Sequence, residues 1–309
     1  MGRLFTSAIL TLGLSVAVQA QGPGLASRFD NDFRVVPNIT YVTASNREAK
    51  LDVYARRSAP DNQAAPQPTL IFIHGGGWIA GTKEERALAL LPYLAMGMNV
   101  VNIDYRLADV ALAPAAVEDC RCALRWVLAH AREYGFDPGR IAVAGESAGG
   151  HLALMTGFLP ASAGLDRQCP GSEDLRVAAV INWYGVSNVN ELLDGANMRP
   201  YAVTWVGSRT DRDEVARRVS PLTYVRPGLP AVLTIHGDAD PTVPYTQSVR
   251  LHQALTDAQV PNELMTIPGG KHFYDCCTTE QRTRAYDRIA SFLRERGVLP
   301  AAMPTSSGR

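Results

Sequence analysis

The sequence lacks an excess of charge of either sign. Its 309 residues include 30 Lys and Arg against 30 Asp and Glu, so we expect no strong electrostatic attraction to nucleic acid or to an anionic membrane. Beyond the N-terminus there is no apolar run of the ~20 residues that a transmembrane helix needs, and there are no repeats. With 46% hydrophobic and 19% charged residues, the composition is that of a globular protein with a sizeable core.

The N-terminal segment differs in composition from the rest of the chain. Arg3 is its only charge, residues 4–18 are almost all apolar, and Val18-Gln19-Ala20 has the small residues of a cleavage site. This pattern predicts a secretory signal peptide over residues 1–20 and therefore a secreted or periplasmic protein. A retained N-terminal anchor is the alternative.

Cysteines are few, and all five lie after the predicted signal peptide. Cys120 and Cys122 are two apart on a predicted helix, so their side chains should diverge. Pairing of Cys169 with Cys276 or Cys277 is the bridge that we favour for an exported protein. An odd number leaves at least one thiol free.

Predicted strands and helices alternate along the rest of the chain. The apolar run 70–73 is typical of a strand buried on both faces. Such alternation predicts an α/β fold, with a mostly parallel sheet covered by helices on both faces and an antiparallel edge formed by the two earliest strands. The predicted strands cover residues 38–42, 50–55, 70–73, 99–104, 140–144, 177–182, 231–236 and 263–267, and the predicted helices cover residues 84–96, 114–134, 148–158, 247–258 and 280–296.

These elements predict one domain over residues 38–297. We expect residues 21–37 to be loose and residues 298–309 to form a flexible tail. The alternation of strands and helices is interrupted over residues 183–224. We interpret this segment as a small cap-like insertion, since long insertions at the C-terminal ends of strands commonly carry function.

A candidate nucleophile lies in the sequence Gly145-Glu146-Ser147-Ala148-Gly149. This G-x-S-x-G pattern follows a predicted strand and precedes a predicted helix, which is the context that a nucleophilic serine requires. The flanking glycines leave room for a sharp turn. The serine would then lie at a helix N-terminus, where the helix dipole stabilises developing negative charge.

A serine hydroxyl needs a general base, and the base needs a carboxylate. His272 lies in a loop after the last predicted strand, and two candidate acids, Asp238 and Asp240, follow the strand before it. We predict that Asp240 is the acid and that Asp238, nearer the strand end, shapes the turn. The chain order Ser147, Asp240, His272 is that of the α/β-hydrolases.

The glycine-rich sequence His74-Gly75-Gly76-Gly77-Trp78 follows the buried strand 70–73. Its glycines would let the main chain approach a substrate carbonyl with N–H groups exposed, and the N–H of Ala148 would add a donor. No Gly-Lys-Ser/Thr follows these glycines, which excludes a P-loop.

Five motifs together resemble the α/β-hydrolase superfamily, and most closely its esterase/lipase branch, which includes the hormone-sensitive-lipase-like and the xylan or feruloyl esterase-like (BD-FAE) enzymes. The motifs are HGGGW (74–78), DYRLA (104–108), GESAGGH (145–151), HGDADPTVP (236–244) and GGKHF (269–273). The resemblance implies an oxyanion hole formed by Gly76, Gly77 and Ala148, and it implies that neither a cofactor nor a metal is used.

These features predict a secreted serine hydrolase that cleaves carboxylic esters, either small molecules or esters linked to a polysaccharide, through an acyl-enzyme. An amidase, formamidase or peptidase with the same triad is an alternative, and so is an inactive hydrolase fold used as a binding module. We expect Trp78, His151, Tyr184 and Trp205 to line the substrate pocket, although packing in the core is the alternative for each. The oligomeric state is left open.

Overall fold

The structure, a computed structural model, describes residues 32–57 and 65–301. The predicted signal peptide lies outside these residues. Among the described residues, no helix combines the length and the apolar character that a membrane span requires.

Eight strands of the described chain form one mostly parallel sheet. They are β1 (Phe33–Ala44), β2 (Arg47–Arg56), β3 (Gln67–Ile73), β4 (Asn99–Ile103), β5 (Phe136–Glu146), β6 (Ala179–Trp183), β7 (Ala231–Gly237) and β8 (Asn262–Ile267). Their order in the sheet is β1-β2-β4-β3-β5-β6-β7-β8. The β1–β2 and β2–β4 pairs are antiparallel and the other pairs are parallel, so the predicted antiparallel edge is confirmed.

Eight α-helices accompany these strands within the described residues. They are α1 (Leu91–Ala95), α2 (Ala115–Ala129), α3 (Ala131–Tyr134), α4 (Ala148–Phe158), α5 (Pro200–Val206), α6 (Arg212–Arg218), α7 (Thr246–Asp257) and α8 (Thr279–Glu295), and short 3-10 segments cover Glu84–Leu90, Ala161–Ala163, Asn190–Leu192, Gly195–Asn197, Pro221–Tyr224 and Phe273–Cys276. The α/β-hydrolase fold expected from the sequence is confirmed. The predicted helix over 84–96 is a 3-10 segment followed by the short helix α1.

The core lies on both sides of the central strands. Leu70, Ile71, Phe72 and Ile73 of β3 are at most 1% exposed, as expected for a strand covered on both faces. Parallel pairing brings the carboxyl ends of β3, β5, β7 and β8 to the same edge of the sheet, where open α/β sheets place their binding sites.

Two predicted boundaries at the ends of the domain are wrong. Strand β1 begins at Phe33 and pairs with β2 from its first residue, so the end of the segment expected to be loose is ordered by the sheet. At the other terminus, Val298 and Leu299 are at most 3% exposed. These residues follow α8 in the chain, and their apolar side chains are buried. They are therefore not part of a flexible tail.

The cysteine pairing also differs from the prediction. Cys169 is joined to Cys122 on α2, Cys276 is joined to its neighbour Cys277, and Cys120 is a buried free thiol. The reason is the path of the loop between α4 and β6, which folds back over α2. Arg125 on that helix binds Asp166 at 2.7 Å, and this ion pair brings the loop close to the helix near Cys122.

The insertion between β6 and β7 is built from short elements. Trp183 is the last residue of β6, so the insertion begins one residue later than predicted. Helices α5 and α6 and three 3-10 segments occupy it. The insertion reaches the catalytic edge of the sheet because Tyr201 on α5 packs directly against Gly77.

Candidate active site

Ser147 lies at the turn between β5 and α4, in a conformation with φ of 56°. Few non-glycine residues adopt such a backbone, and those that do are held there by their surroundings. Here the helix packs directly on the sheet. A Cβ atom at Gly149 would stand 2.1 Å from the carbonyl oxygen of Ile73, so only glycine permits the approach that fixes the turn.

The structure brings the three predicted catalytic residues together. His272 Nε2 lies 2.9 Å from Ser147 Oγ, and His272 Nδ1 lies 2.6 Å from Asp240 Oδ2. Because the carboxylate can only accept, Nδ1 carries the proton and Nε2 is left to accept the serine hydroxyl proton. This is the arrangement that a general base requires.

The Asp240 side chain is completely buried. Its Oδ1 accepts the N–H groups of Thr242 at 2.7 Å and Val243 at 3.0 Å, while Oδ2 faces His272 and, at 3.2 Å, Nε2 of His236. Burial on its own would raise the pKa of Asp240, but the hydrogen bonds from the two histidines and from the backbone outweigh it and hold the pKa well below its usual range. Asp240 is therefore an anion at neutral pH.

Asp238 has a different role in the same loop. Its Oδ1 accepts the backbone N–H of Gly269 at 2.7 Å, which ties the loop after β7 to the loop after β8. The structure thus places Asp238 at a turn and Asp240 against His272.

The glycine-rich loop after β3 lines the same pocket as Ser147. Gly76 and Gly77 have φ of 110° and 60°, and a Cβ atom at Gly76 would stand 1.9 Å from the carbonyl oxygen of Ala80. Among the described residues, no group accepts a hydrogen bond from the N–H of Gly76, Gly77 or Ala148. These three N–H groups belong to two residues of the pocket wall and to the residue that follows Ser147.

Three of the four predicted pocket residues lie in the core, so for them the prediction is wrong. Trp78, His151 and Trp205 are each 0% exposed. The two indole rings stack with centroids 4.1 Å apart, and Trp78 Nε1–H donates to His151 Nδ1 at 3.2 Å. Trp78 has φ of 60°, a turn that directs its ring inward, beneath the insertion.

His151 is held inside this cluster by its second ring nitrogen. Nε2–H donates to the carbonyl oxygen of Val219 at 2.6 Å. Burial lowers the pKa of His151 to about 4, and the hydrogen bond to Val219 only partly opposes that shift. His151 is therefore neutral. Its hydrogen bond connects α4 to the insertion, and its side chain does not line the substrate pocket.

Tyr184, the fourth predicted pocket residue, is buried behind the site. It is 1% exposed and does not line the pocket, so the prediction is wrong here also. Its ring lies 4.7 Å from that of His272, which places it where it supports the imidazole.

The pocket above Ser147 has a volume of about 310 Å³. Its wall includes four side chains that sequence reasoning missed: Arg86, Tyr201, Thr242 and Phe273. Tyr201 OH donates to the carbonyl oxygen of Thr242 at 3.1 Å, which joins the insertion to the loop that carries Asp240.

Contacts with Glu146 and Phe273 hold Arg86 at the pocket. It binds the buried carboxylate of Glu146 at 2.6 Å, and its guanidinium lies 4.6 Å from the centre of the Phe273 ring. Glu146 precedes Ser147 in the G-x-S-x-G pattern, and a buried acid at that place needs a cation. That requirement was a signal in the sequence for a basic residue here.

The described residues hold no cluster of three or more His, Cys, Asp or Glu side chains that could bind a metal ion. The polar residues at the pocket include Ser147, His272 and Arg86, together with the backbone of Gly76 and Gly77. Such an arrangement suits acyl transfer to a serine.

Known proteins with similar sequences and structures include several esterases. The chain is 32% identical over 253 residues to Esterase LipC of Mycobacterium tuberculosis. The aligned region covers 79% of this chain and 62% of LipC. Among solved structures, a truncated carbohydrate esterase from gut microbiota superposes with a TM-score of 0.71 at 27% identity, covering 86% of this chain and 97% of that one.

A butyrate-bound esterase of Thermogutta terrifontis also gives a TM-score of 0.71, at 26% identity, and covers 90% of this chain and 99% of that chain. The chain spans about three fifths of the length of the mycobacterial relatives, 62% of LipC and 59% of Esterase LipQ. Residues 51–255 match the BD-FAE family. Because this match covers more than half of the described domain, the chain belongs to the BD-FAE family of α/β-hydrolases.

Proposed function

We propose that this protein is a serine hydrolase that cleaves carboxylic esters through an acyl-enzyme. The observation that carries the proposal is the continuous hydrogen-bonded chain from Asp240 through His272 to Ser147. It stands beside three backbone N–H groups that have no acceptor among the described residues. The esterase names of the similar proteins support the same activity.

In the proposed mechanism, Ser147 Oγ attacks the ester carbonyl carbon while its proton passes to His272 Nε2. The carbonyl oxygen becomes an oxyanion and accepts hydrogen bonds from the N–H groups of Gly76, Gly77 and Ala148. Asp240 stabilises the imidazolium. The carbon–oxygen bond to the alcohol then breaks, and the alcohol leaves with the proton from His272.

The acyl group is then bound to Ser147 as an ester. His272, neutral again, takes a proton from a water molecule as that water attacks the acyl carbon. When the second oxyanion collapses, the acid leaves and the proton returns to Ser147 Oγ. The cycle consumes one ester and one water and releases one acid and one alcohol.

We propose small-acyl esters as the substrates, either of small molecules or of groups carried on a polysaccharide. A pocket of about 310 Å³ is at the lower end of the range for small-molecule sites. Relatives with an acetyl esterase name and with bound butyrate, together with a carbohydrate esterase, point the same way.

We also propose that the protein is exported and that its mature form begins near Gln21. The basis is the composition of residues 1–20, which fits a cleaved signal peptide. N-terminal sequencing of the secreted or periplasmic protein tests this. A product that retains Met1 and sediments with membranes would contradict the proposal.

The catalytic proposal is tested with Ser147→Ala and p-nitrophenyl acetate. Loss of the nucleophile should lower kcat by ~10⁶ and leave the melting temperature close to that of the wild type. Ser208→Ala, a change at an exposed serine of the insertion, is the matched control and should keep full activity. Activity of Ser147→Ala above about a thousandth of wild type would contradict the proposal.

A further inference from the structure

A second histidine contacts the carboxylate that orients the catalytic base. His236, near the end of β7, is completely buried. Its Nε2 lies 3.2 Å from Asp240 Oδ2 and 3.2 Å from the carbonyl oxygen of Val243. Both of these partners can only accept hydrogen bonds, so Nε2 must carry a proton.

The other ring nitrogen of His236 is also engaged. Nδ1 lies 2.7 Å from the hydroxyl oxygen of Ser248 on α7, which can donate a hydrogen bond to it. The rings of Tyr245 and Tyr184 pack against the imidazole, with centroids 5.5 Å and 6.4 Å away. The ring is therefore held in one orientation with Nε2 directed at Asp240.

Each carboxylate oxygen of Asp240 faces two hydrogen-bond donors. Oδ1 is occupied by the backbone N–H groups of Thr242 and Val243, and Oδ2 by the two histidines. Without His236, the catalytic imidazole would be the single side-chain donor at Oδ2 among the described residues. A fully buried carboxylate is costly when its oxygens lack donors, and the orientation of Oδ2 decides where His272 stands.

From this geometry we propose that His236 is a positioning residue. It donates Nε2–H to Asp240 Oδ2 and thereby keeps the carboxylate ionised and turned toward His272 Nδ1. Ser248 supports this role by fixing the tautomer of His236. The inference rests on the proposed ester hydrolysis, and it extends the triad to the chain Ser248, His236, Asp240, His272 and Ser147.

The test compares two substitutions of similar length at one position. His236→Gln keeps an N–H donor within reach of Oδ2, whereas His236→Met fills the space without a donor. We expect Met to lower kcat by about 10- to 100-fold, the range for losing one hydrogen bond to a charged group, with KM within about twofold. Gln should restore most of the lost kcat.

Two results of this kinetic test would overturn the proposal. Equal losses of kcat in the Gln and Met variants, at equal folded fraction, would mean that His236 only fills space. Wild-type kcat in both variants would mean that Asp240 needs no second side-chain donor.

A spectroscopic measurement separates this inference from the proposed activity. In Ser147→Ala protein, the proton NMR signal of His272 Nδ1–H reports the hydrogen bond to Asp240 and needs no turnover. It should shift when His236→Met is added and stay in place with His236→Gln. An unmoved signal in the Met variant would contradict the positioning role. Lack of esterase activity in the wild type would instead contradict the proposed function.

Ser248→Ala provides a second route if His236→Met does not fold. It removes the partner of Nδ1 and leaves the imidazole in place. We expect kcat to fall several-fold, by about the value of one neutral hydrogen bond, with the same NMR signal displaced. Unchanged kcat together with an unchanged signal would overturn the proposed chain.

Discussion

Replacing His151 by Gln should change how stability depends on pH. Burial lowers the pKa of His151 to about 4, against ~6.5 for a histidine in an unfolded chain. Below pH 6.5 the unfolded chain therefore binds a proton at residue 151 that the folded protein binds only near pH 4. Stability due to the neutral imidazole is complete above pH 6.5 and is lost progressively as the pH falls toward 4.

The size of the effect follows from these two pKa values. Between pH 7 and pH 5 the wild type should lose about 2 kcal/mol of unfolding free energy at this residue, and about 3 kcal/mol once the pH is below 4. Glutamine does not titrate. At pH 7 the variant should be less stable, because it lacks the imidazole ring that packs against the indoles of Trp78 and Trp205.

Urea unfolding at pH 7 and pH 5 measures the two free energies. The stability difference between wild type and His151→Gln should shrink by about 2 kcal/mol from pH 7 to pH 5. All other titrating groups, including buried His74, are common to both proteins and cancel in this comparison. A difference that stays constant with pH would refute the reasoning, because His151 would then be in contact with water rather than in the core.

Three further predictions concern the acid, the pocket wall and the disulfide. Asp240→Asn should lower kcat by roughly 10⁴ by misplacing the imidazole tautomer. Asp238→Asn should cost about 1 kcal/mol of stability, because the hydrogen bond from Gly269 N–H is then made to a neutral oxygen instead of a charged one. Steady-state kinetics and urea unfolding measure the two effects, and a larger loss of kcat in Asp238→Asn would reverse the assignment. Tyr201→Ala should change the ratio of kcat/KM between acetate and longer-chain p-nitrophenyl esters. Trp205→Ala should lower the free energy of unfolding by about 3–5 kcal/mol and leave that ratio within about twofold. The opposite pattern would mean that Trp205, and not Tyr201, contacts the substrate. Cys122→Ser should lower the free energy of unfolding by about 4 kcal/mol, the loop-closure value for a separation of 47 residues. In urea unfolding, the loss should be no larger than that of the reduced wild type. An unchanged unfolding midpoint in the variant would contradict the bridge.

The sequence predicts most of the triad geometry because strand ends limit where its residues can lie. Ser147, Asp240 and His272 each follow a strand of one parallel sheet, so their motifs place them at the same edge of the sheet. The oxyanion loop follows β3 for the same reason. In each case a short motif and its neighbouring strand are sufficient, and no long-range packing has to be known.

The pocket wall could not be predicted in this way. Whether Trp78 and Trp205 face the substrate or each other depends on how the insertion folds over the sheet, and aromatic residues at such positions fit either environment. Tyr201 reaches Gly77 only because α5 lies across the loop. The partner of Cys169 likewise depends on the path of a loop without regular secondary structure.

The most direct test of the central claim is labelling with a fluorophosphonate, followed by mass spectrometry of the digested protein. The reagent forms a covalent bond with a serine only when a neighbouring base activates it. We expect one adduct per chain, on the peptide that contains Ser147, and a much slower reaction in Asp240→Asn protein. An adduct on another serine, or no adduct on a folded wild-type chain, would contradict the assignment of Ser147 as the nucleophile.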